Sequence, residues 1–191
     1  MIAKGLDFPN VTLVGVINAD TALHLPDFRA AERTFQLVTQ VAGRTGRGDR
    51  GGRVLVQTFS PEHPALVAAM RHDFVSFAEG ELPGRKAHGY PPFNHLVRVV
   101  VRGPHENITE AFAEQLAEAF SAKARAANFE LRLLGPAPAP VSRLRGLHRF
   151  HMLLYAQAGA ELARTLREAS ALLAPPEDVQ WIADVDAFDM L

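Results

Sequence analysis

Two adjacent prolines divide this chain into two parts. The segment YPPF occupies residues 90–93, and a helix cannot continue through Pro91 and Pro92 because each lacks an amide hydrogen and clashes with the preceding turn. With 191 residues and 48% hydrophobic content, the chain can supply more than one packed core. The sequence therefore predicts a first domain at 1–60, a helical connector at 61–93 and a second domain at 94–191.

The first domain has the hydrophobic pattern of a parallel α/β sheet. A near-continuous apolar run at 11–17 predicts a strand buried on both faces, and RVLVQTF at 53–59 predicts another strand. Between them, apolar residues at helical spacing predict a helix from about Asp27 to Arg44. Two more helices are expected in the connector, at about 62–72 and 73–86.

The second domain alternates strands and helices in another order. Residues 95–102 alternate valines with Arg98 and Arg102, which predicts a half-buried strand. The expected elements after it are a helix at 106–126 burying Ile108, Phe112, Leu116 and Phe120, a short strand at Leu131 and Leu133, a strand at 149–155, a helix carrying Leu162, Leu166 and Leu173, and a strand at 179–185. The order β-α-β-β-α-β predicts a ferredoxin-like domain, with two helices on one face of the sheet.

Composition excludes several classes of site. The formal charge is −1, so a nucleic-acid surface has to be a local patch. The chain has no cysteine, which excludes disulfides and thiolate metal sites. His148 and His151 should point to opposite faces of a strand and make a poor metal pair. No apolar run approaches 18 residues and the first ten residues do not resemble a signal peptide, so a soluble cytoplasmic protein is expected.

The most specific motif is QVAGRTGR at 40–47. Arg44 and Arg47 end a predicted helix, where their guanidinium groups could reach a nucleotide γ-phosphate and glycine could let the backbone approach a ligand. An alternative is that basic residues simply favour the last turn of a helix, where they face its negative dipole end. The length of the motif and its place after a strand and a helix favour the nucleotide interpretation.

Several segments together resemble a known family. QVAGRTGR resembles motif VI of superfamily 2 helicases, and the opening IAKGLDFPNVTLVGVINAD resembles motif V with its following strand. The segments LPDFRAAERTFQLVTQVAGRTGRG, YPPF, GPAPAPVSRLRGLHRF and DVDAFDML resemble, in that order, the primosomal protein N′ family of replication-restart helicases. The resemblance covers the whole chain. It implies that the first domain is the end of the second RecA-like motor lobe, and that the second is a C-terminal domain like ribosomal protein S10.

The resemblance implies roles in ATP hydrolysis for one helix end. Arg44 and Arg47 resemble catalytic arginine fingers. Gln40 resembles a residue that senses nucleotide at the interface between the motor lobes, and Gly43 belongs to the same ATP-binding motif.

The opening loop resembles the motif that couples nucleotide to DNA. Gly5 and Asp7 match its coupling positions, and Lys4 in the same loop is expected to touch a DNA phosphate. The alternative for Lys4 is an ordinary exposed lysine. Asp20, at the end of the predicted strand, is expected to organise the following loop rather than to do chemistry.

A second candidate site is basic. The segment GPAPAPVSRLRGLHR carries Arg143, Arg145 and Arg149, and no acid occurs from Gly135 to Tyr155. Arginines near Phe150 and Tyr155 would suit a surface that tracks phosphates and stacks bases. The alternative is a solvated hairpin loop that protects a sheet edge from aggregation. The family resemblance favours DNA contact.

The chain lacks parts that such a motor needs. It contains neither a G-x-x-x-x-G-K-[ST] phosphate loop nor the acidic motif that binds Mg²⁺. The resemblance implies a longer parent that binds ATP and Mg²⁺ and carries a cysteine-rich zinc insert, and Met1 matches an internal methionine of the family. The chain alone is not expected to hydrolyse ATP.

The parent is expected to be an ATP-dependent 3′→5′ DNA helicase that restarts stalled forks. Its implied partners are branched and single-stranded DNA, single-strand-binding protein and primosome proteins. Two alternatives stay open: a stand-alone DNA- or protein-binding module with a vestigial helicase remnant, and a different superfamily 2 helicase with an unrelated tail. The YPPF and DVDAF segments argue against the second.

Overall fold

The computed structural model describes residues 11–43 and 52–187. The chain divides into two units between Gly84 and Arg85, inside a helix, and each unit has its own hydrophobic core. The predicted boundary at 93/94 lies a little further along the chain. Within the described ranges, no helix is both long and apolar enough to cross a membrane.

The first unit contains a small parallel sheet and several helices. Its elements are β1 (Leu13–Val16), α1 (Asp20–Leu23), α2 (Ala30–Ala42), β2 (Arg53–Val56), α3 (Pro64–Met70) and α4 (Phe74–His88), the last of which continues into the second unit. β1 and β2 pair in parallel, with Val14 opposite Val54. The parallel pairing confirms the predicted type of sheet, and α3 and α4 confirm the two predicted connector helices.

The prediction that the first strand is buried on both faces is wrong for the described chain. Val16 and Val56 pack against the core of this unit, whereas Leu13 is 57% exposed and Ile17 is 84% exposed. Helix α2 packs on one face of the two strands, and only this face is partly buried. An apolar run does not reveal how many faces are covered, because coverage depends on neighbouring elements.

Helix α2 begins three positions later than predicted. The Asp27 carboxylate accepts a hydrogen bond from the Arg29 N–H at 2.8 Å and forms an ion pair with Arg33 at 2.8 Å. An aspartate that binds the backbone two residues ahead favours a turn over a helix. Asp27 therefore lies before the helix and holds its first turn through Arg33.

The second unit follows the predicted order of elements. They are β3 (His95–Gly103), α5 (Glu106–Ala126), β4 (Arg132–Leu144), β5 (Leu147–Ala156), α6 (Gly159–Ser170) and β6 (Gln180–Val185). The four strands form an antiparallel sheet in the order β4-β5-β3-β6. Helices α5 and α6 pack together against one face of this sheet.

The core lies between that sheet face and the two helices. Val97, Val99 and Val101 are buried against Phe112 and its neighbours on α5, which confirms the valine side of the predicted alternation. The prediction that β3 is only half-buried is wrong at Arg98, which lies on the other face and is also buried. The predicted place of Ile108 in the buried stripe is wrong, because Ile108 is 46% exposed and Thr109 is buried instead. The Thr109 hydroxyl donates to the His105 carbonyl oxygen at 2.7 Å, so the polar group is satisfied inside the first turn.

The segment predicted as a basic loop is the arm of a long hairpin. β4 has 13 residues and pairs with β5 as far as Leu144 opposite Leu147. Arg145 and Gly146 form the turn, with φ values of 50° and 83°, as a two-residue turn of type I′ requires. The prolines of the PAPAP segment are tolerated because β4 is an edge strand with two register shifts.

Candidate nucleic-acid interface

The predicted nucleotide site lies only partly within the described residues. Gln40 is exposed on α2, and Gly43 is its C-cap, with φ −67° and an N–H that donates to the Thr39 carbonyl oxygen at 3.1 Å. A Cβ atom added at Gly43 would lie 3.6 Å from the Gln40 carbonyl oxygen, an ordinary contact. Thus neither the backbone conformation nor the surrounding described atoms require glycine there.

Five predicted site residues fall outside the described ranges. They are Arg44, Arg47, Lys4, Gly5 and Asp7. Their roles stay predictions.

Asp20 joins the carboxyl ends of the two parallel strands. Its carboxylate accepts hydrogen bonds from the Phe59 N–H at 3.0 Å and the Thr58 hydroxyl at 2.9 Å. The Phe59 N–H, followed by the Thr58 hydroxyl, holds the pKa of Asp20 below its ordinary value. Asp20 therefore has the organising role expected from the sequence, although the loop that it holds follows β2 rather than β1.

The sheet face opposite α5 and α6 carries a cluster of arginines. Two of them, Arg98 and Arg102, come from β3, Arg149 comes from β5 and Arg145 from the hairpin turn. These four side chains line a cavity of about 250 Å³ together with Val100, Leu144, Leu147, Ile182 and Asp184. We call this sheet face the open face.

The open face includes only part of the predicted basic patch. Arg143 pairs with His148 across the hairpin, and the His148 Nδ1 lies 3.6 Å from the Glu106 Oε2 at the start of α5. Residues directly opposite each other in an antiparallel pair share a face, so Arg143 lies on the helix side. The structure brings Arg145 and Arg149 together and separates Arg143 from them.

Arg98 and Arg102 complete the cluster, although sequence reasoning did not assign them to it. Their positions on the polar side of the β3 alternation were visible in the sequence. The pairing that places Arg102 directly opposite Arg149 was not visible in the sequence, because strand register depends on the whole sheet.

The polar contacts of two arginines on the open face go to neutral groups. The Arg102 Nε and Nη2 donate to the Gln180 Oε1 at 3.2 and 2.9 Å. The Arg149 Nη1 donates to the Val141 carbonyl oxygen at 3.1 Å. These bonds orient the two guanidinium groups without offsetting their charge.

The pKa of His151 depends on the charges of the open face. It pairs with Val100 on β3. Burial lowers its pKa, and the positive charges of Arg98 and Arg149 lower it further. The imidazole is therefore neutral at pH 7, and its titration is sensitive to any anion that offsets these arginines.

The structure corrects the expected base-stacking role of two aromatic residues. Phe150 and Tyr155 are each 3% exposed. Phe150 belongs to the core between sheet and helices, and the Tyr155 ring lies 5.5 Å beneath the Arg132 guanidinium. Neither ring offers a face on which a base could stack.

The histidines on β5 behave as expected. His148 lies on the helix side and His151 on the open face, as predicted from their odd spacing. In the part of the chain that the structure describes, no group of three or more His, Asp or Glu side chains is placed to hold a metal ion.

These features define a class of protein. The described chain is a mixed α/β protein with a small parallel sheet in one unit and, in the other, an antiparallel sheet whose open face carries an arginine-lined cavity. Residues 86–188 match the family described as the primosomal protein N C-terminal domain, and the chain belongs to this family. The resemblance found in the sequence is thereby confirmed.

Relatives match beyond that domain. Replication restart protein PriA of Bacillus subtilis is 42% identical over 170 residues, which is 88% of this chain and 20% of the relative. The protein of the same name from Haemophilus influenzae is 40% identical over 191 residues, covering 100% of this chain and 26% of the relative. That of Treponema pallidum is 41% identical, covering 100% of this chain and 29% of the relative. The chain thus spans between a fifth and a third of the length of these relatives.

Proposed function

We propose that this chain is the C-terminal part of a cytoplasmic ATP-dependent 3′→5′ DNA helicase that restarts stalled replication forks. The observation that carries the proposal is the match of the whole chain, at 40% identity, to a protein named for replication restart. Its substrates would be branched and single-stranded DNA. Single-strand-binding protein and primosome proteins would be its partners.

The first unit would be the end of a RecA-like second motor lobe. Parallel sheets occur almost only with both faces covered, yet Leu13, Ile17 and Leu55 are exposed on one side of β1 and β2. This half-covered sheet supports a lobe whose remaining elements come from the rest of the parent. Arg44 and Arg47 would act there as arginine fingers, with Gln40, Gly43, Gly5 and Asp7 in nucleotide binding and coupling, and with Lys4 on a DNA phosphate.

The cofactors of the parent do not fit this chain alone. ATP and Mg²⁺ need a phosphate loop and an acidic Mg²⁺ motif, and the sequence has neither. Zinc in the parent would be held by cysteines, and the chain has none. The chain by itself therefore would not hydrolyse ATP.

The second unit would be a ferredoxin-like, S10-like domain that contacts DNA. Its strand order β4-β5-β3-β6 and its two helices on one sheet face support this fold. Arg145 and Arg149 support DNA contact because arginine binds phosphates through paired hydrogen bonds. Arg143 would contribute from the other side of the hairpin.

A chimera tests the proposed function. The Haemophilus influenzae relative aligns with all 191 residues, so its matching segment can be replaced by this chain. The chimera should hydrolyse ATP in the presence of DNA and unwind a forked substrate, whereas a version lacking the segment should do neither. A folded chimera that binds ATP but does not unwind DNA would contradict the proposal.

One alternative also has structural support. The second unit has a complete core of its own, as a stand-alone DNA- or protein-binding module with a vestigial helicase remnant would need. The genomic reading frame upstream of Met1 distinguishes the two. A continuous frame that encodes a phosphate loop supports the helicase, and a ribosome-binding site at Met1 supports the module.

A further inference from the structure

We infer that the open face of the four-stranded sheet binds the backbone of single-stranded nucleic acid, and that the cavity between Arg98, Arg102, Arg145 and Arg149 seats a phosphate. This inference rests on the proposed function, because DNA is the polyanion that such a protein handles. It moves the contact from the hairpin arm to the sheet face and adds two residues of β3.

The first support is an unfavourable arrangement of charge. Arg102 and Arg149 lie directly opposite each other, and like charges in this position destabilise a sheet. Arg98, on the same face of β3, is only 5% exposed and lies directly opposite Asp184 on β6, so the unfavourable pairing is that of Arg102 with Arg149. The opposed charges of Arg102 and Arg149 do not help folding, and we attribute them to an anionic ligand.

The second support is the orientation of the guanidinium groups. Gln180 and the Val141 carbonyl hold Arg102 and Arg149 through neutral contacts, so the charges stay available to a ligand. Asp184 also lines the cavity and offsets part of the charge. Asp184 lies directly opposite Arg98, so the positive charge of the cavity comes mainly from Arg102, Arg145 and Arg149.

The third support is the shape and chemistry of the cavity floor. Val100, Leu147 and Ile182 form an apolar surface among the arginines, and Ile182 is exposed. A volume of about 250 Å³ suits a phosphate with its sugar rather than a duplex. None of the nine lining residues is aromatic, so binding should depend on charge and show little sequence preference.

Paired variants of the 191-residue chain test the inference. The open-face variant is Arg102→Gln with Arg149→Gln. The control is Arg164→Gln with Arg167→Gln, which removes the same charge from exposed positions of α6 on the opposite side of the unit. The probe is a fluorescein-labelled oligothymidylate, and its anisotropy is measured across a salt series, with circular dichroism to check folding.

The open-face variant should bind at least about tenfold more weakly at low salt, and its log–log salt slope should fall by about 1.4, since each phosphate neutralised on a single strand contributes about 0.7. The control should stay within about twofold of the parent chain. Arg102→Lys with Arg149→Lys should keep much of the slope, because charge is retained. Equal losses in the open-face and control variants, or an unchanged slope in a folded open-face variant, would overturn the inference.

Two results distinguish a failure of this inference from a failure of the proposed function. If the unaltered chain does not bind the oligonucleotide at all, the DNA contact of the proposed function fails with it. Poly-glutamate serves as a second probe, an acidic polypeptide. If the unaltered chain binds the oligonucleotide and the open-face variant loses only the binding of poly-glutamate, the open face receives acidic protein segments and the inference alone is wrong.

A second readout does not depend on affinity. A phosphate between the arginines would offset the charges that lower the pKa of His151. The charged groups that act on this imidazole are Arg98 on β3 and Arg149 on its own strand, and both line the cavity together with Arg102, Arg145 and Asp184. Adding the oligonucleotide should therefore raise the pKa of His151. This pKa is measured by following the NMR signal of the Cε1 proton of His151 as the pH is changed. A pKa that stays constant at saturating oligonucleotide would place the ligand elsewhere.

Discussion

Arg102 on β3 and Arg149 on β5 lie directly opposite each other in the antiparallel sheet. Like charges directly opposite each other destabilise a sheet, so the pair should lower the stability of the second unit. In the inferred phosphate site, the two charges serve ligand binding rather than folding.

Changing Arg149 to Gln should leave the free energy of unfolding unchanged or raise it by up to about 0.5 kcal/mol, because repulsion from Arg102 is removed. Urea unfolding followed by fluorescence of Trp181 on β6, the single tryptophan, gives the measurement. The Arg164→Gln variant on α6 serves as control. A loss above about 1 kcal/mol would mean that Arg149 stabilises the hairpin.

The stability of the second unit should fall as the solution is made acidic. Burial, with help from Arg98 and Arg149, holds the pKa of His151 below its ordinary value, which is near 6.5 in the unfolded chain. Between the two pKa values the unfolded state binds more protons than the folded state. The stabilisation linked to the neutral His151 imidazole is therefore fully present above about pH 6.5 and is lost as the pH falls towards the folded pKa.

The His151→Leu variant tests this dependence. Its unfolding midpoint, again followed through Trp181, should change less between about pH 7 and pH 5 than that of the parent chain. His63, whose pKa is also lowered by burial, belongs to the other unit, and the His63→Gln variant is the control. Identical pH profiles for the parent and the His151→Leu variant would remove His151 as the cause.

The isolated chain should show no DNA-stimulated ATP hydrolysis above background. The physical reason is the absence of a phosphate loop from its sequence. Release of inorganic phosphate from purified chain, with and without single-stranded DNA, checks this. Clear turnover in a preparation free of other helicases would refute it.

The proposed arginine fingers should matter only in the complete motor. In the chimera described above, Arg44→Ala or Arg47→Ala should lower ATP hydrolysis by roughly 10³-fold, because each would stabilise charge on the transferred phosphate. DNA affinity, measured separately, should stay nearly unchanged. Near-normal hydrolysis by either variant would show that its arginine has another role.

The two units should differ in solubility when separated. A fragment of residues 1–89 should aggregate, since Leu13, Ile17, Leu55 and Phe59 are exposed around its two strands. A fragment of residues 85–191 should be soluble and monomeric by light scattering. A fragment that starts at residue 85 keeps His88, whose carbonyl oxygen accepts a hydrogen bond from Arg132. It also keeps Tyr90, whose ring contacts the ring of Tyr155. Cooperative unfolding of a monomeric 1–89 fragment would contradict the expectation.

The amino-acid sequence by itself determined the order of the elements in the second unit and the extent of its first helix. Helix α5 spans Glu106–Ala126 as the periodicity predicts, and Val97, Val99 and Val101 face the core as their alternation predicts. Both patterns are local, because side-chain direction follows from the repeat of the helix or the strand. The motifs that carry the family resemblance are likewise stretches of consecutive residues.

Only the tertiary structure decided which side chains meet. It placed Arg102 opposite Arg149, sent Arg143 to the helix side through its pairing with His148, and buried Phe150 and Tyr155. It also left one face of β1 exposed. These outcomes depend on strand register and on which elements cover a face, and both are set by contacts between residues far apart in the chain.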